Sequence, residues 1–153
     1  MTSRRVTSEW PVCHKLTMRD ILLLRLAEIW AAGRPADATR RALSSQLVVI
    51  PQRISALAKL LVRERLAKWV RVRLERTGRS IRVLQLTDLG TAEAQKSKGW
   101  LLAQEVEYDG AILRLSDLLA KLGHGSLTDA LRVARLTESG AQEDSVARAK
   151  SSV

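Results

Sequence analysis

The stretch that decides the fold is VRVRLERTGRSIRVLQLTDLG, residues 70–90. In its first part, apolar residues alternate with Arg71 and Arg73, a pattern typical of a half-buried strand. The next residues predict a turn in which Gly78 takes a positive φ. Residues 81–86 predict the returning strand. Apolar residues fall at both odd and even positions of that strand, so the sequence leaves open which side faces the core.

Three helices are predicted before this hairpin. The first begins after Thr17, and its apolar residues recur at three- and four-residue steps as far as Trp30. The second spans 40–47 with Thr39 as its N-cap, and the third begins at Pro51 and runs to about residue 65. The residues of the second and third helices expected to face the core are Leu43, Leu47, Ile54, Leu57, Ala58 and Leu61.

After the hairpin, Thr87 and Asp88 predict the start of a helix that runs to about Lys98. Residues 104–108 and 111–115 predict two short strands, joined by the strong two-residue hairpin signal Asp109-Gly110. Ser116 and Asp117 would cap a helix that ends near Leu122, with Leu118, Leu119 and Leu122 facing inward, and 127–136 predict one more short helix.

The order helix, helix, helix, hairpin, helix predicts an α+β fold. More narrowly, it favours a winged helix-turn-helix, with a three-helix core, a β-hairpin wing, a C-terminal helix and a small hairpin-helix extension. We expect a flexible basic arm at 1–15, a winged-helix domain at 16–100, the extension at 101–136 and a flexible tail at 137–153.

The formal net charge of the chain is +10 at pH 7, and the charged residues are unevenly distributed along the sequence. Residues 1–86 hold 18 Lys and Arg against 6 Asp and Glu, whereas residues 87–153 hold 8 against 10. Between Arg63 and Arg82 there are eight basic and two acidic residues. Such a concentration favours a polyanionic partner, although a solvated surface in a chain rich in arginine is the simpler alternative.

Two segments carry a resemblance to a known family. TRRALSSQLVVIPQRISALAKLLVRERL (39–66) and IRVLQLTDLGTAEA (81–94) resemble archaeal winged-helix proteins of the MarR-like kind, and the Leu-Thr-x-x-Gly-x-x-x-Ala pattern of the second is the more specific match. EVEYDGAILRLSDLLAKL (105–122) is similar to an extension found in some archaeal members. The resemblance implies a DNA-binding transcriptional regulator.

The sequence departs from the family pattern at several positions. Val48 and Arg65 stand where glycine is common, and Ile50 stands where a Ser or Thr cap is usual. Ala56, Leu60 and Val62 replace polar residues. The apolar departures indicate either a contact surface for a partner or a third helix whose phase is shifted by one residue.

We therefore expect double-stranded DNA as the partner. Gln52 and Arg53, at the start of the third helix, suit base edges in the major groove, while Ser55 and Lys59 suit phosphates. Arg76 and Arg79, at the hairpin tip, suit the minor groove. The full set of expected DNA-binding residues is Arg40, Gln52, Arg53, Ser55, Lys59, Arg63, Arg71, Arg73, Arg76, Arg79 and Arg82.

Other functions have less support in the sequence. No catalytic or phosphate-loop motif occurs, so we expect no enzyme, no metal and no cofactor. Cys13 is the only cysteine and no apolar run suits a membrane span, so we expect a cytoplasmic protein. Homodimerisation is expected, with a possible protein partner at the C-terminal extension. A winged-helix adaptor for a protein and a binder of structured RNA remain alternatives.

Overall fold

The computed structural model describes residues 17–123 and 126–136. The expected basic arm and tail lie outside these residues, as do His124 and Gly125 of the predicted loop. The chain forms two compact units, one of Met18–Ser97 and one that takes the described residues from Lys98 onward. Six α-helices and two small antiparallel sheets make up the described part, which confirms the α+β class.

The first helix, α1 (Met18–Ala31), is the central helix of the Met18–Ser97 unit. Burial of consecutive leucines such as Leu23 and Leu24 shows that it is covered on more than one side. Trp30 Nε1 donates a hydrogen bond of 2.9 Å to the carbonyl oxygen of Leu84. A 3₁₀ turn that the sequence did not predict, Pro35–Ala38, follows. The fully or almost fully buried residues of α1 are Ile21, Leu22, Leu23, Leu24, Leu26 and Ile29.

Helices α2 (Arg40–Leu47) and α3 (Pro51–Arg63) follow, and their axes are bent by 110° across a three-residue break. The predicted cap is confirmed, since the Thr39 hydroxyl oxygen accepts a hydrogen bond from the amide of Ala42 at 3.1 Å. Helix α3 ends two residues before the predicted limit of 65. The six residues predicted to face the core are all buried, namely Leu43, Leu47, Ile54, Leu57, Ala58 and Leu61.

The hairpin consists of β1 (Ala67–Arg73) and β2 (Ser80–Leu86), which pair antiparallel. The first strand starts three residues before the predicted Val70. Gly78 has the predicted positive φ, at 70°. Val83 and Leu84 are both fully buried although they are neighbours, so both sides of β2 are covered at this point. This explains why the apolar pattern of that strand did not reveal a single inward face.

Helix α3 packs against β1, and α1 packs against β2. Helix α4 (Asp88–Leu102) follows β2 and continues four residues past the predicted end at Lys98. Thr87 is its N-cap, because its hydroxyl oxygen accepts a hydrogen bond from the amide of Gly90 at 3.0 Å.

Thr87 also fastens the start of α4 to the start of the hairpin. Its amide donates to the carbonyl oxygen of Leu66 at 3.0 Å, and its hydroxyl donates to that of Arg65 at 2.7 Å. A β carbon on Gly90 would lie 1.9 Å from the Leu66 oxygen. The threonine and the glycine of the LTDLG segment therefore both serve this close approach of backbone to backbone.

The second unit contains a small sheet in the order β4-β3-β5. Strands β3 (Glu105–Tyr108) and β4 (Ala111–Arg114) form the predicted two-residue hairpin, with positive φ at both Asp109 and Gly110. The short strand β5 (Arg135–Leu136) pairs with the other edge of β3.

Two helices complete this unit, α5 (Leu115–Leu122) and α6 (Leu127–Val133). The predicted capping of α5 by Ser116 and Asp117 is wrong. The helix begins one residue earlier, because Leu115 turns inward and is fully buried.

The inward face of α5 also differs from the prediction. Leu118 is fully buried as expected, but Leu119 and Leu122 are only half-buried. Helix α6 stops before the predicted Leu136, because the last two described residues pair with β3 as a strand.

Candidate nucleic-acid interface

The turn between α2 and α3 is held by backbone geometry unusual for its sequence. Val48 has a left-handed backbone with φ 56°, a conformation that β-branched residues rarely adopt. Its amide and that of Val49 both donate to the carbonyl oxygen of Ser44, and the Ser44 hydroxyl donates to the carbonyl oxygen of Val49. The turn thus redirects the chain by 110° within three residues and fixes the direction in which α3 leaves it.

The polar residues predicted on α3 lie on its outer face. Gln52 and Arg53 are exposed in the first turn, where their side chains make no hydrogen bond or ion pair with any described residue. The side chain of Arg40, from α2, reaches the start of α3, where its Nε donates a hydrogen bond to the carbonyl oxygen of Pro51 at 3.1 Å. Farther along the same helix Ser55 is half-buried, whereas Lys59 and Arg63 are exposed.

The apolar departures from the family pattern are real surface features. The predicted core residues of α3 are buried, so its phase is right and the alternative of a one-residue shift is wrong. Ile50 is 65% exposed, and Val48 and Val62 are 42% and 40% exposed. Ile50 precedes α3 without a side-chain cap, and Leu60 is half-buried.

Three of the expected DNA-binding arginines lie on one face of the hairpin. Arg71 is directly opposite Arg82 in the strand register, so both side chains point to the same side of the sheet. Arg73, two residues from Arg71, shares that side. The Arg82 guanidinium carbon lies 4.5 Å from the centre of the Trp69 ring, within the range of a cation–π interaction.

The hairpin tip holds the other two arginines. Arg76 and Arg79 are both exposed. Backbone hydrogen bonds between Leu74 and the segment 78–79 close the turn, and Arg73 Nε donates to the carbonyl oxygen of Gly78 at 3.2 Å. The tip is therefore a defined turn that presents two cationic side chains to solvent.

No described acidic side chain neutralises the arginines of the hairpin. Within the part of the chain that the structure describes, no ion pair includes a basic residue between Arg63 and Arg82. Glu64, one of the two acids in that segment, pairs instead with Arg19 of α1 at 2.9 Å. Glu75, the other acid, makes no ion pair with a described residue.

The described residues contain no group of three or more His, Cys, Asp or Glu side chains arranged to hold a metal. Cys13, His14 and His124 lie outside them. Glu105 and Glu107, which share one face of β3, are both exposed. No single described helix is long and apolar enough to cross a bilayer, and the pair α2 and α3, which together reach that length and apolarity, is sharply bent.

Sequence reasoning identified the exposed arginines but missed the way in which they are paired. The ring of Trp69 supports one member of the pair, since the Arg82 guanidinium carbon lies 4.5 Å from the ring centre. The pairing follows from the strand register, in which Arg73 lies opposite Ser80 and Arg71 opposite Arg82. No local pattern in the sequence specified that register.

Comparisons with known proteins returned no match: no family model matches the sequence, and neither does a curated protein or a solved structure. What this surface can bind is therefore inferred from its residues and their geometry.

Proposed function

We propose that Met18–Ser97 is a winged helix-turn-helix that binds double-stranded DNA in a sequence-specific manner and regulates transcription. The three-residue turn and the 110° bend between α2 and α3 support this, because helix-turn-helix motifs join their helices through short turns at about 90–120°. The hairpin and α4 follow in the order that this fold requires.

The observation that carries the proposal is the charge of the hairpin, which no described acidic side chain compensates. Like charges that lie opposite each other across two strands destabilise a sheet. A duplex backbone removes that cost, and the counterions that it releases make binding favourable and dependent on salt. Five hairpin arginines serve this contact, namely Arg71, Arg73, Arg76, Arg79 and Arg82.

In this proposal α3 enters the major groove. Gln52 suits adenine and Arg53 suits guanine, because each side chain can form two hydrogen bonds with the edge of that base. Lys59 and Arg63, farther along the exposed face, contact phosphates, as do Ser55 and Arg40. At the hairpin tip, Arg76 and Arg79 reach the narrow minor groove, whose negative potential attracts arginine.

The test is a titration of the full chain against labelled random-sequence duplexes, read by fluorescence anisotropy at several salt concentrations. About seven or eight cationic contacts, four or five from the hairpin and three from Arg40, Lys59 and Arg63, would lower the affinity about 10⁴-fold between about 50 and 200 mM salt. Binding that is absent, or that does not change with salt, would overturn the proposal.

The sequence preference is tested separately by selecting bound duplexes from a random pool. A shared base pattern among the selected duplexes would support reading by α3. A two-fold symmetric pattern would support the homodimer that we propose, because dimeric helix-turn-helix proteins match two-fold operators.

The second candidate function is a winged-helix adaptor whose partner is a protein. The exposed Val48 and Ile50 of the turn and Val62 of α3 favour it, since a solvated surface would more often carry polar residues at such positions. The titration distinguishes the two functions, because an adaptor would show no salt-dependent binding to duplexes. A matched double-stranded RNA in the same assay tests the structured-RNA alternative.

A further inference from the structure

The face of the hairpin that carries Arg71 and Arg82 has features that an ordinary basic surface lacks. The two residues are direct partners in the strand register, so their β carbons lie about 4.5–5.5 Å apart and both side chains extend from the same side. Neither has an ion-pair partner among the described residues. Two guanidinium groups thus extend from neighbouring positions, and no described carboxylate pairs with either of them.

Trp69 orders one member of this pair. It lies on the same side of the sheet, two residues before Arg71 on β1, and is therefore a diagonal neighbour of Arg82. The indole ring is half-buried and the Arg82 guanidinium carbon lies 4.5 Å from its centre. An arginine that stacks on a ring keeps its N–H donors free along the edges of the guanidinium plane.

Arg73 is the third arginine of this face but is held differently. Its Nε donates a hydrogen bond to the carbonyl oxygen of Gly78, and this bond directs the side chain toward the tip. The pair of Arg71 and Arg82 therefore stands apart from Arg73 and from the tip arginines.

We propose that Arg71 and Arg82 together bind one phosphodiester group of the duplex backbone, and that Trp69 is the positioning residue that holds Arg82 for this contact. A phosphate has acceptor oxygens enough for two guanidinium groups, and its charge removes the repulsion between them. This inference rests on the proposed function and makes it more specific, because it assigns two arginines to a single phosphate.

The number of phosphates contacted can be counted from the salt dependence. The slope of log K against log salt is about −0.9 per neutralised phosphate of B-DNA. If Arg71 and Arg82 share one phosphate, then each single variant, Arg71→Ala or Arg82→Ala, keeps that phosphate neutralised. Each single variant then changes the slope little, while the double variant reduces its magnitude by about 0.9.

Independent contacts would give a different result. Each single variant would then reduce the slope by about 0.9 and the double variant by about 1.8, which would overturn the shared site. An unchanged slope in the double variant would overturn it too. Arg34→Ala is the matched control, since Arg34 is an exposed arginine of the same unit outside the proposed interface. Absence of salt-dependent binding in the unmodified chain would instead overturn the proposed function.

The role of Trp69 is tested by two substitutions. Trp69→Phe keeps an aromatic face and is expected to bind duplexes like the unmodified chain. Trp69→Leu removes the ring and is expected to weaken binding by the same factor as Arg82→Ala, with little further loss when the two changes are combined. Additive losses, or equal losses in the Phe and Leu variants, would overturn the positioning role. Thermal unfolding of each variant shows that binding is compared between folded proteins.

Discussion

The carbonyl oxygen of Leu66 occupies the space beside Gly90 that any side chain would need, because a β carbon on residue 90 would lie 1.9 Å from it. The backbone of Leu66 and the backbone that leads to Gly90 are held together, since the amide of Thr87 donates to the same Leu66 oxygen at 3.0 Å. The start of α4 therefore meets the start of the hairpin at a distance that only glycine permits.

Gly90→Ala is expected to destabilise the fold by about 3 kcal/mol, since the backbone has to move to relieve the overlap. The measurement is the urea unfolding midpoint, followed by tryptophan fluorescence. Gly99→Ala is the matched control in the same helix, because nothing lies within 4 Å of its β-carbon position. That control is expected to gain about 0.5–1 kcal/mol from better helix propensity. Similar midpoints for the two variants would contradict the close approach.

Val48→Gly is expected to stabilise the chain by about 1 kcal/mol. A β-branched residue with φ 56° is strained, and Val48 is 42% exposed, so little packing is lost with its side chain. Thermal unfolding measures the change. The control is Val49→Gly, whose half-buried side chain has no such backbone strain and whose loss should destabilise. A lower melting temperature for Val48→Gly would show that the turn does not have this geometry.

Replacement of both Arg76 and Arg79 by Ala is expected to weaken binding to every duplex alike. Removing two cationic contacts at the tip is expected to reduce the magnitude of the salt slope by up to about 1.8. Anisotropy titrations at several salt concentrations measure it, with Arg34→Ala as the control for the loss of a remote charge. An affinity that stays unchanged at moderate salt would exclude a role of the tip in binding.

Gln52→Ala and Arg53→Ala are expected to relax the sequence preference, because each removes one two-bond contact worth about 1–3 kcal/mol of discrimination against the wrong base. Selection of duplexes from a random pool measures the preference position by position. Arg63→Ala, on the same exposed face but near the end of α3, should lower affinity without altering the selected pattern. The same selected pattern from all three variants would remove α3 as the base-reading element.

Much of the fold could be predicted because its signals are local. Thr39 and Pro51 mark helix starts by chemistry that acts within one turn, and both starts were placed correctly. Asp109-Gly110 fixes its hairpin in the same way. The errors arise where tertiary contacts decide. Burial of Leu115 starts α5 early, and pairing with β3 turns the end of the last predicted helix into a strand.

The candidate site was predictable only as a set of exposed residues. Spacing along α3 sufficed to place Gln52, Arg53 and Lys59 on its outer face, since the helical period fixes which residues face outward. The opposition of Arg71 and Arg82 depends on the register of two strands, which no local pattern specified because Val83 and Leu84 are both buried.

The hydrogen bonds of Thr87 to Arg65 and Leu66 join the two ends of the hairpin to each other and to the first turn of α4. The strands cannot separate without breaking these hydrogen bonds. We therefore expect the hairpin and the start of α4 to open together as one cooperative unit. Their amide hydrogens should then exchange with solvent through a shared, infrequent opening. A two-stranded hairpin alone would be only marginally stable in water, and its attachment to α4 thereby makes its opening as infrequent as that of the helix.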